Sequence, residues 1–165
     1  RLAMDTDAAV KLTKGSANET VGKAYTVLLP RRVREECVEQ GKARGYPDAF
    51  RIEENLRDGI FSEVRARRST RTEALLRDLR LSGGEADVLR LYRSGAADLV
   101  VSDDRRFLQF LEGLGVPFAM PAALIVALVR DRGIGPREGL ALLDKLAGLI
   151  SEEEYAEARR ALEAK

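Results

Sequence analysis

Five short runs of apolar or β-forming residues, at 2–4, 25–29, 60–64, 98–102 and 116–118, are separated by stretches with the spacing of amphipathic helices. Strands alternating with helices are joined by right-handed crossovers, which builds a parallel sheet covered on both faces. Ala8, Ala9, Val10 and Leu12 give the first helix, closed by Gly15, and Ser16 to Glu19 has the form of a capping box that opens a second. Pro30 starts a helix through Val33, Cys37 and Val38, and Pro47 starts another that ends near Gly59. Thr70 to Glu73 and Ser82 to Glu85 read as caps of the next two helices. Pro117 confines the last run to a sheet edge. The longest apolar stretch, 121–129, is far short of a membrane span and reads as a buried helix. Residues 136–165 read as a helical hairpin with a further capping box at Ser151 to Glu154. Its Leu140, Leu143, Leu146 and Leu149 either complete the core or form the face of a homodimer.

At 165 residues, 45% hydrophobic and 33% charged, the chain is the size of one globular domain, 1–165, with 136–165 as its C-terminal helical extension. A cytoplasmic location and no membrane association are the default expectations. The chemistry open to it is narrow. There is no histidine and only one cysteine, Cys37, which excludes the common triads, multi-cysteine metal sites and imidazole bases. Catalysis must rest on carboxylates. A net charge of +1 gives no overall attraction for nucleic acid, so local clusters of arginine carry any such role.

Ligands of an open parallel sheet bind beyond the carboxyl ends of its strands. Asp5 ends the first run, Asp103 and Asp104 end the fourth, Glu85 sits in a first helical turn, and Glu36 follows the second run by about two turns. Taken singly each has a structural role: Asp5 as a helix cap, Glu85 as the partner of Ser82, Glu36 on a solvated face, Asp103 and Asp104 as turn residues. Together they bring carboxylates from four segments to one rim. Like charges so placed need a counterion, and all-oxygen ligation selects Mg²⁺ or Mn²⁺.

The sequence Asp5-Thr6-Asp7 after a strand, Leu29-Pro30 followed by Val33 and Glu36, Gly84-Glu85-Ala86 opening a helix, and Ser102-Asp103-Asp104-Arg105-Arg106-Phe107 resemble, in this order, the motifs of PIN-domain ribonucleases. The resemblance spans roughly residues 2–130 and implies a three-layer α/β/α sandwich around a parallel sheet. It also implies an acidic Mg²⁺ or Mn²⁺ pocket and cleavage of RNA by metal-activated water, in many members as the toxin of a toxin–antitoxin pair, with an antitoxin protein as partner. Carried over by position, Asp5, Glu36, Glu85 and Asp104 are the catalytic acids, and Asp5, Glu85, Asp103 and Asp104 the metal ligands. Glu35 adjoins Glu36, and a shift of one residue exchanges them. Two departures stand out: Asp7 where relatives carry Asn or Ser, and Arg106 where many carry an acid. Arg65, Arg67, Arg68, Arg71, Arg105 and Arg106 are candidates for RNA phosphates, or else a solvated surface. A haloacid-dehalogenase-like phosphatase, with Asp5 as nucleophile, competes less well because Ala9 stands where that motif wants Thr or Val. A third reading is a PIN-fold module that binds RNA or protein without turnover.

Overall fold

A computed structural model describes residues 1–164. Lys165, the end of the expected hairpin, lies outside the described residues. The chain runs β1 (Leu2–Met4), α1 (Thr6–Lys14), α2 (Asn18–Ala24), β2 (Val27–Pro30) and α3 (Arg31–Arg34). From α3 a π-helical stretch (Glu35–Gln40) continues into α4 (Gly41–Ala43), then come α5 (Pro47–Arg57), β3 (Phe61–Val64), α6 (Thr70–Asp78) and α7 (Gly83–Arg93). Last are β4 (Leu99–Val101), α8 (Arg105–Gly113), β5 (Phe118–Ala119), α9 (Pro121–Arg130), α10 (Pro136–Leu146) and α11 (Glu152–Glu163).

All neighbouring strands pair in parallel, in the order β3-β2-β1-β4-β5. Each residue of β1 and β2 is buried, as a sheet covered on both faces requires, while β3 and β5 at the edges are partly exposed. The first three strands step one way and β4 returns to the other side of β1. The order therefore reverses between β1 and β4, and the helices that follow them diverge there to leave a crevice at the strands' carboxyl ends.

Several local expectations shift. The second strand starts at Val27 and takes in Pro30, which pairs by register with Val64 at the strand's last position, where the missing N–H matters least. Ser16 caps nothing: its backbone is left-handed, φ 57°, and α2 opens without a side-chain cap. Ser69 rather than Thr70 caps α6, accepting from the Thr72 N–H at 3.2 Å. The Ser151 box closes by half: Ser151 accepts from the Glu154 N–H at 3.1 Å, but the Glu154 carboxylate turns instead to the Ala122 N–H at 2.9 Å. In the C-terminal hairpin Leu143 and Leu146 are fully buried, and Leu140 and Leu149 pack on the same core. These leucines join the hairpin to α1 and α9 rather than forming an open face.

Candidate active site

Asp5 follows β1 directly and is 5% exposed. Its Oδ1 accepts from the Ala8 N–H at 2.8 Å, so it caps α1 and also faces the crevice. Burial pushes its carboxyl up to about 7, aided by Asp103 and Asp7 and opposed by hydrogen bonds from Ser102 and the Ala8 N–H. Asp104 caps α8 through the Phe107 N–H at 2.8 Å, while its own N–H donates to Ser102 Oγ at 3.2 Å.

Glu85 is the third residue of α7, where a capping box would turn it back on Ser82. No such box forms, since Ser82 makes no side-chain cap hydrogen bond. The Glu85 carboxyl is held above its usual value by burial first and then by Asp104, with Glu36 and Asp7 adding and the Arg106 charge opposing. Glu36 lies on the π-helical stretch. Its Oε2 accepts from the Thr6 hydroxyl at 2.6 Å and its Oε1 from Arg32 Nε at 3.0 Å. Glu35 pairs with Arg31 and Arg32 and does not line the crevice, whereas Glu36 does.

Asp5, Glu36, Glu85 and Asp104 line one hollow of about 410 Å³, with Asp7, Thr6 and the Ser82-Gly83-Gly84 turn completing its wall. Gly84 makes this possible. A Cβ there would stand 2.9 Å from both Glu36 Oε2 and Val33 Cγ2, so only glycine lets the α7 N-terminus approach α3. The donors are all oxygen, and two of these carboxyls, Asp5 and Glu85, are pushed toward protonation by burial first and then by neighbouring acids. No set of three His, Cys, Asp or Glu among the described residues closes tightly enough to cage an ion. Mg²⁺ in general keeps several waters and takes only one or two carboxylates directly, so it does not require such a cage. Cys37 is no nucleophile, because burial pushes its thiol up to about 12.

Asp103 departs from the expected ligand set. Its side chain is 8% exposed, ion-paired to Lys11 Nζ, and absent from the hollow's lining. Asp103 lies instead where α1 supplies a cation, Lys11. The arginines also depart. Arg65 and Arg67 line a separate hollow with Ser94, Gly95 and Ala96, past the far end of α7. Eleven residues of α7 separate that end from Gly83, about 16 Å of helix. Arg68 and Arg71 are exposed, as is Arg105. None of the six lines the acidic hollow, and Arg106, whose guanidinium lies 5.5 Å over the Phe110 ring, acts there only through its charge on Glu85.

Three contributors escaped the acid-centred sequence reading: Thr6 as the partner of Glu36, the Gly83-Gly84 pair, and Lys11 as the partner of Asp103. A Gly-Gly pair at a helix start was a legible sign of close approach. Nothing local links Lys11 to a residue 92 positions away.

A family model described as a PIN domain matches residues 3–164. The chain belongs to the PIN-domain family. No curated protein and no solved structure matches it. PIN domains are generally nucleases and typically use divalent metals, and the acids of this PIN domain sit at its topological switch point. The match takes in α10 and α11, so the hairpin lies within the PIN domain's matched length.

Proposed function

We propose that this PIN domain is a metal-dependent endoribonuclease that hydrolyses RNA phosphodiester bonds, with Mg²⁺ or Mn²⁺ held directly or through waters by Asp5, Glu85 and Asp104 and with Glu36 beside them. The observation that carries the reading is the convergence of four carboxylates, from four separate segments, on one hollow in which two of them are pushed toward protonation. When bound there, a divalent ion supplies an acidified water and charge neutralisation for the phosphodiester.

The chain's own residues do the rest. Asp104 and Asp5 are fixed by the helix N–H groups they cap, which sets their direction before any ligand arrives. Thr6 and Arg32 hold the Glu36 carboxylate in place. Asp5, close to half protonation at neutral pH, gives up its proton on binding a cation. Histidine is absent and Cys37 is buried as a thiol, and in this reading water is the nucleophile.

Incubation with a generic single-stranded RNA tests this. Cleavage that requires added Mn²⁺ or Mg²⁺ and is lost in Asp104→Asn is the expected result; metal-independent cleavage, or none, removes it. The toxin role in a toxin–antitoxin pair rests on the family resemblance alone. Growth arrest on expression, relieved by Asp104→Asn, is its test.

A further inference from the structure

Away from the acidic hollow, a second pocket of about 340 Å³ opens between α9 and α11. Its walls are short and apolar, built from Val126 and Ala127 of α9 and Ala158 and Ala161 of α11. One polar group enters this apolar lining from within. Glu154, 5% exposed, lines the pocket from the first turn of α11. Its Oε1 caps α9 through the Ala122 N–H, while its Oε2 has no hydrogen bond to a described residue and is not enclosed. Lys11, the cation whose charge reaches it, is paired with Asp103.

The cap accounts for one oxygen of this carboxylate and leaves the other unengaged. Glutamine would accept the same N–H without the desolvation of a buried charge. The helix α9 N-terminus tolerates the charge but leaves the second oxygen free. At the rim Asp131 and Glu157 outnumber Arg130, so the surroundings favour an incoming cation further. A largely apolar pocket of this size, with Glu154 inside and Arg130, Asp131 and Glu157 also lining it, has the usual form of a small-ligand site, for which about 300–1,000 Å³ is typical.

We infer that this pocket binds an alkyl cation, an aliphatic chain ended by an ammonium or guanidinium group, with the chain against the alanines and the head on Glu154 Oε2. A free amine and a lysine or arginine side chain of another protein present the same chemistry. The site is separate from the acidic hollow, and the inference stands or falls independently of nuclease activity.

Calorimetry on the full chain, with n-hexylammonium, n-hexanol and the amides of Nα-acetyl-lysine and Nα-acetyl-arginine, tests it. The wild type is expected to bind hexylammonium at least about tenfold more tightly than hexanol, as befits a charge-assisted hydrogen bond. Glu154→Gln keeps the α9 cap, so its melting temperature stays near wild type while the preference for the cation falls to within about twofold. Ala127→Leu, a half-buried wall position, fills the pocket and abolishes binding of all four probes. Tighter binding of the amino-acid amides than of hexylammonium assigns the ligand to a protein side chain, and the reverse assigns it to a free amine. Equal affinity for hexanol and hexylammonium in the wild type, or an undiminished preference in Glu154→Gln, overturns the inference. So does the absence of binding by any of the cations.

Discussion

Asp103 and Asp104 are neighbours in the chain with opposite surroundings. Asp104 is exposed at the rim of a hollow it shares with four other acids, Asp5, Asp7, Glu36 and Glu85, with a helix N–H as its hydrogen-bond donor there. Asp103 is buried one residue earlier against the ammonium of Lys11. On one side of the β4 terminus the Asp104 carboxylate has no side-chain cation paired to it among the described residues; on the other the Asp103 carboxylate is paired with Lys11. A site that is to take an external cation needs the first arrangement, and a core needs the second.

The largest expected effect falls on activity. Asp104→Asn preserves the α8 cap, since asparagine accepts the Phe107 N–H equally well, but removes a metal-facing charge. RNA cleavage is expected to drop by at least about a hundredfold while the melting temperature stays within a few degrees, read by a gel assay beside thermal denaturation. The Asp103 side has the reverse profile. Lys11→Met strands a buried carboxylate and is expected to destabilise the fold by about 3 kcal/mol, lowering the melting temperature by roughly 6–12 °C for a chain of this length. The double variant Lys11→Met with Asp103→Asn recovers most of that loss. A single variant as stable as wild type would collapse the distinction between the two sides.

The pH dependence sharpens the comparison from within the hollow. The Asp5 carboxyl is raised to about 7 when folded, against roughly 3.9 unfolded, so the folded state binds the extra proton. Its contribution to stability is complete below about pH 4 and is lost as pH rises through 7, in protein stripped of metal. Asp5→Asn removes that slope, and urea unfolding at pH 5 and pH 8 measures it. Glu85→Gln is a milder case: no capping box is lost and a repelled charge is removed, so the melting temperature holds or rises slightly while cleavage falls.

The parallel sheet and the acids at its strand ends were legible because both depend on local patterns, apolar runs of strand length and the residue that follows each. The choice between Glu35 and Glu36 was not, because it depends on where a π-helical stretch and the Thr6 hydroxyl place the side chain. The pairing of Asp103 was not legible either, because its partner Lys11 comes from α1 and sequence spacing carries no information about that pairing. The basic segment from Arg65 to Arg71 is a clear cluster in the chain, yet Arg65 and Arg67 flank the far end of α7. The smallest prediction follows from that position. Replacing Arg67 and Arg68 with alanine is expected to leave the salt slope of RNA binding unchanged within about 0.3, where one lost phosphate contact on a single strand changes it by about 0.7.

Titration of Mn²⁺ into the metal-free wild type, Asp104→Asn and Asp103→Asn, followed by calorimetry at pH 7.5, tests the division most directly. The wild type is expected to bind the ion, Asp104→Asn at least about tenfold more weakly, and Asp103→Asn within about threefold of wild type. Equal weakening in both variants, or no binding by the wild type, contradicts the assignment of the ion to the hollow of Asp5, Glu36, Glu85 and Asp104.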